Sequence, residues 1–143
     1  MIMTIGISSD RLKHCLAVAR LMYEMAVEKG WQESKCQEMF LLGYVHDIGY
    51  EFSEEQPDHP IVGARLLKNQ GYKFWREVKY HGILTDKYNS EELKMLNVAD
   101  MTVDSSGERV GAEKRLLDIK SRYGEKSQQY KDAELLAHKL GLI

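Results

Sequence analysis

Apolar residues in this chain recur at spacings of three and four, and no stretch sustains the every-second-residue alternation of a half-buried strand. That one pattern restricts the fold more than any other feature. Leu12, Leu16, Ala19, Met22 and Ala26 lie along a single stripe, which Ser8 to Asp10 can cap at one end and Gly30 stops at the other. A chain patterned in this way buries the stripes of helices against one another, so the expected fold class is all-α.

The same reading places the remaining helices. Ser34 and Gln37 form an S-x-x-Q capping box ahead of Met39, Phe40, Leu41, Leu42, Tyr44 and Val45, with Gly49 ending the segment. Apolar groups on most sides make this second helix the most buried. Gly43 inside it costs roughly 1 kcal/mol relative to alanine, which implies that another backbone packs close there. The acidic stretch EFSEEQPD reads as a surface loop, after which Asp58 caps a helix with Pro60 in its first turn and Gly71 at its end. Phe74, Val78 and His81 share the next face, then Asn89 or Ser90 caps a helix carrying Leu93, Leu96 and Asp100. Beyond the turn at Asp104 to Gly107, which is expected to cap the next helix, residues 109–140 again show helical spacing and pack on the rest. The whole chain, 1–143, is expected to be a single domain of about six to seven helices.

Composition excludes several functions. With 143 residues and 43% hydrophobic content, there is enough apolar material for one real core. A formal charge of −2 offers no basic surplus for a nucleic acid polymer. The N-terminus lacks a basic region followed by an apolar run, and no apolar run is long enough for a membrane, so a cytoplasmic protein is expected. Cys15 and Cys36 form no CxxC pair and fall within helical periodicity, as reduced core thiols do.

Against this background the polar residues on apolar faces stand out. His14, the adjacent His46 and Asp47, His59, His81 and Asp100 each sit on or beside a face patterned for burial. A buried ionised carboxylate is costly unless paired, hydrogen-bonded or bound to a cation. Gathered round a divalent metal, these groups satisfy one another. Neighbouring helical residues project about 100° apart, so His46 and Asp47 converge on one site only where their helix ends, and Gly49 supplies an ending.

In this order (His14, His46-Asp47 within VHDIG, His59-Pro60, His81, and Asp100 within NVAD) the motifs resemble the HD-domain superfamily of metal-dependent phosphohydrolases over roughly residues 9–104. The resemblance implies a helical bundle in which His14, His46, Asp47 and Asp100 hold one metal. It also implies that Asp47 bridges to a second ion, with His59 and His81 as further ligands. Nitrogen and oxygen donors without sulfur suit Mn, Fe, Co, Ni, Zn or Mg, so the cofactor is one or two divalent metal ions. Such ions generate a hydroxide nucleophile and polarise phosphoryl oxygens, which makes a small phosphorylated molecule, a nucleotide above all, the expected partner. Asp47, as the central ligand, is the residue expected to carry catalysis. The same ligands also suit a metal- or nucleotide-binding module without chemistry.

Many relatives carry a lysine directly after the HDIG element; Tyr50 stands here instead, and no GYP motif is present. Both departures argue against cyclic dinucleotide hydrolysis. Lys79, Lys87, Arg109 and Arg115 are candidates for phosphate binding, and Trp75 is expected in the core. His138 falls outside the motif region and reads as a surface histidine.

Overall fold

The computed structural model describes residues 9–51 and 59–143, the side chains of Tyr50, Glu51 and His59 excepted. Seven α-helices account for the regular structure: α1 (Ser9–Glu28), α2 (Glu33–Val45), α3 (His59–Asn69), α4 (Trp75–Tyr80), α5 (Glu91–Asp100), α6 (Ala112–Tyr123) and α7 (Gln128–Lys139). Among the described residues a 3-10 turn at Ile48–Glu51 and a bridge between Val103 and Arg109 complete it. The fold is an all-α bundle, as the periodicity requires. Among the described residues no helix is long and apolar enough to cross a membrane.

The centre of the molecule is the pair α1 and α2. The stripe on α1 buries Cys15, Val18, Ala19, Met22 and Ala26, and α2 answers with Cys36, Met39 and Leu42. Gly43 is where the two backbones meet: a Cβ there would lie 2.7 Å from the Ala19 Cα. The expected close approach is therefore real, and two small residues facing each other permit it. Val78 from α4 and Met95, Leu96 and Ala99 from α5 close this main core, with Trp75 packed partly buried against it. A second, smaller cluster joins Met101, Leu116, Ile119, Ala133, Leu136 and Ala137, so α6 and α7 pack mainly on each other.

Local signals are realised in part. Gly30 stops α1 at φ +77°, with the Trp31 N–H bonding back to the Ala26 carbonyl. Ser90, not Asn89, caps α5 by accepting from the Leu93 N–H at 2.9 Å. The Ser34/Gln37 capping box does not form: Gln32 is the cap residue and makes no side-chain bond there. Glu33 now opens the helix, so Ser34 falls inside the first turn, and Gln37 donates to Glu33 at 3.3 Å. Gly49 does not end α2, which stops four residues earlier at Val45; its backbone instead lies against Gly63 of α3. Ser8 and Asp58, expected as caps, and most of the acidic loop before Asp58 lie outside the described residues.

Candidate metal centre

Three helices deliver side chains to one place from their C-terminal ends. After Val45 the chain leaves α2, and the turn puts His46 and Asp47 side by side in the interior, 0% and 7% exposed. His81 stands at the C-cap of α4, where an extended backbone (φ −67°, ψ 148°) turns it inward. Asp100 is the last residue of α5. His14, in the second turn of α1, faces them, buried. Helix C-termini carry partial negative charge, so the ends of α2, α4 and α5 favour a cation between them.

The histidines are held in one tautomer. Nδ1–H of His14 donates to the Asp104 carbonyl (2.9 Å), that of His46 to Gly43 (2.6 Å) and that of His81 to Val78 (2.6 Å). A carbonyl only accepts, so each Nδ1 carries a proton and it is Nε2 that each ring turns toward the centre. Those Nε2 atoms face carboxylates. His46 Nε2 lies 3.3 Å from Asp47 Oδ2 and 3.4 Å from Asp100 Oδ1, while His14 Nε2 is 2.8 Å from Asp100 Oδ1. On the other side of Asp47, Oδ1 is 3.3 Å from His81 Nε2.

This arrangement is repulsive unless a proton or a metal stands between the donors. His46 Nε2 is buried and makes no hydrogen bond, the orphan that a bound cation removes. Donors spaced in this way match neighbours around an ion with bonds of about 2.1 Å. His14, His46 and Asp100 form one group able to hold a metal. Without metal, burial lowers the His46 pKa, but the Asp47 and Asp100 carboxylates outweigh it and hold it well above the usual range. Burial raises Asp100, and the bond from His14 together with the close approach of His46 more than reverses it, leaving its carboxyl well below ordinary values. Cys15 also reaches the edge of the cluster, beside His46 and Asp47. Burial, with Asp47 adding to it, pushes its thiol up to about 12, so it is a neutral packing group, as expected of a core cysteine.

Behind the ligands, α6 acts as a brace. Arg115 Nε donates to the Asp100 carbonyl (3.0 Å), its Nη2 lies 3.6 Å from Asp100 Oδ1, and Nη1 donates to Asp118 (2.9 Å). Asp118 in turn accepts from the N–H and Oγ of Ser105, both at 3.0 Å. Ser105 follows Asp104, whose carbonyl orients His14. Asp104 does not cap α6, which begins after Gly111; its carboxylate accepts from the N–H groups of Ser106 and Glu108 and closes its own turn. It reaches the centre through its backbone.

A cavity of about 320 Å³ opens from the cluster, lined by His14, Asp47, His81 and Asp100 at its base. Of the four cations proposed from sequence, Arg115 lines it, whereas Lys79, Lys87 and Arg109 do not; Arg109 pairs with Glu24. Arg11 and Arg122 line it as well, with Tyr123, Gln128, Gln129 and Asp132. Arg11 was legible in principle, one turn before His14 on the same face of α1; the α7 residues carried no motif. His138 is exposed, as expected. His59 opens α3, but its side chain lies outside the described residues, as does that of Tyr50.

No curated protein and no solved structure matches the chain. The family model of the HD domain matches residues 11–119, spanning every ligand described above. The chain therefore belongs to the HD-domain family, within the superfamily of metal-dependent phosphohydrolases.

Proposed function

We propose that this protein is a phosphohydrolase that uses one or two divalent metal ions to hydrolyse a small phosphorylated molecule, a nucleotide above all. The observation that carries the reading is the convergence of the Nε2 atoms of His14, His46 and His81 on Asp47 and Asp100, with His46 Nε2 buried and unsatisfied. His14, His46, Asp47 and Asp100 would hold the first ion. The two Asp47 oxygens face different histidines, so Asp47 is suited to bridge to a second ion on the His81 side, with His59 as a further ligand from α3.

Bound metal supplies a hydroxide at neutral pH and neutralises charge developing on phosphoryl oxygens. The chain's own residues do the rest. In hydrolysis a water oxygen would bond to phosphorus as the bond from phosphorus to the leaving oxygen breaks, and the proton that the water gives up would end on the leaving oxygen. Arg11, opening the cavity beside His14, is placed to orient the phosphoryl group. Arg115 is engaged with Asp100 and Asp118, so it holds a ligand in position while its charge offsets the carboxylates.

The test is phosphate release from mono-, di- and cyclic nucleotides with added Mn, Co, Ni, Mg or Fe(II), comparing wild type with Asp47→Ala. Turnover that is lost in the variant, together with metal binding, is the expected result. A wild type that binds metal and turns over nothing would make the protein a binding module; equal activity in Asp47→Ala would end the proposal.

A further inference from the structure

The cavity continues well past the His/Asp cluster, and its outer walls are of a different chemistry. On α6, Ile119, Arg122 and Tyr123 follow Arg115 at four, seven and eight residues, so all four share one face. At 1.5 Å per residue that face runs roughly 12 Å from the residue touching Asp100 to Tyr123. Opposite it, the first turns of α7 present Gln129 and Asp132, and all these residues line the same cavity. Gln128 donates to Asp132 at 2.8 Å, which fixes the carboxylate at the wall.

From this placement we infer that the α6–α7 wall is a leaving-group subsite that takes one nucleoside, with the Tyr123 ring against the base and Gln129 and Asp132 bonding its polar edges or sugar hydroxyls. The inference rests on the phosphohydrolase reading for the position of the phosphate, at the His/Asp end. Three features select this ligand. Ile119 and Tyr123 offer the apolar and aromatic surface that a flat ring needs, which a simple sugar phosphate would leave unused. Amide and carboxylate groups supply both donors and acceptors, which a lipid tail would leave unpaired. About 320 Å³ stands at the small end of ligand cavities, a size that suits a mononucleotide. Arg122, stacked 5.5 Å from the Tyr123 ring centroid, extends the flat surface at the mouth.

The experiment compares two probes in the presence of Mn2+: a panel of nucleoside 5'-monophosphates and p-nitrophenyl phosphate, whose leaving group is one small ring. Turnover is measured for wild type, Tyr123→Ala and Gln129→Ala, and nucleoside monophosphate binding is measured separately by calorimetry. Two variants on different helices guard against one that misfolds, and circular dichroism checks each. The expected result is a loss of about tenfold or more in nucleotide binding and kcat/KM in both variants, and a clearly smaller loss with p-nitrophenyl phosphate, which lacks the sugar and the polar base edges. Parallel losses on both probes, or nucleotide binding unchanged in both folded variants, would overturn the subsite. Binding that weakens in the variants while wild type turns over neither probe would uphold the subsite and remove the hydrolase reading. Wild type that hydrolyses p-nitrophenyl phosphate and binds no nucleotide would do the reverse.

Discussion

Gly43 serves two contacts at once. Its missing side chain lets α1 and α2 touch at Ala19, and its carbonyl accepts the Nδ1–H of His46 at 2.6 Å, so the closest helix contact and the tautomer of a ligand share a residue. A Cβ there would also sit 3.1 Å from Met22 Sδ, which can move, but the Ala19 backbone at 2.7–2.8 Å cannot without separating the helices. Gly43→Ala should therefore destabilise the fold by about 1–3 kcal/mol despite the better helix propensity of alanine. Urea denaturation measures this; an unchanged or raised midpoint would show that the helices part without cost. Cys15 gives a second residue-level expectation. Its thiol pKa of about 12 in the fold lies above the usual 9.0, so the native state keeps its proton when the unfolded chain has lost it. The stability this group contributes is complete below pH 9 and falls as pH rises from there toward 12. With Cys36 equally buried, neither thiol should react with a thiol reagent at pH 8 until denaturant is added. Rapid native-state labelling of either would contradict the burial.

At the scale of elements, α6 matters more than its place outside the motif order suggests. Arg115 holds Asp100, and Asp118 holds Ser105 next to the carbonyl that orients His14, so one helix steadies ligands from α5 and α1. Asp118→Ala should weaken Mn2+ binding by about tenfold or more, as loss of an outer partner of ligands commonly does. Asp118→Asn, which keeps acceptor capacity toward Ser105, should recover part of it. Titration calorimetry reads both; a wild-type metal affinity in Asp118→Ala would mean the ligands hold themselves. This brace was not legible in sequence, because it depends on how α6 docks. The helices were legible, since each buries a stripe with its own period. His14, His46, Asp47, His81 and Asp100 were legible because polar groups on such stripes need partners. Their exact supports were not: the 3-10 turn after α2 and the Asp104 carbonyl are tertiary outcomes that overrode Gly49 and a plausible cap.

The molecule as a whole carries two apolar cores of unequal size, one around α1, α2, α4 and α5 and one between α6 and α7. Met101, directly after α5, belongs to the smaller one, the polar links from Arg115 and Asp118 tie α6 to Asp100 and Ser105, and the cavity runs from the ligands to α6 and α7. The candidate ligands lie on or directly after helices of the larger core, whereas the outer cavity wall comes from α6 and α7. A metal bound at 100 times its dissociation constant stabilises the native state by about 2.7 kcal/mol, and only regions whose opening releases the ion share that gain. Chelation should therefore lower the melting temperature, and hydrogen exchange should show where. Amides of α1, α2 and α5 should slow on adding Mn2+, while α7, which can open without disturbing a ligand, should change little. The first turns of α6, tied to Asp100 by Arg115, should fall between. Equal protection gained in every helix would mean that the two cores unfold as one unit.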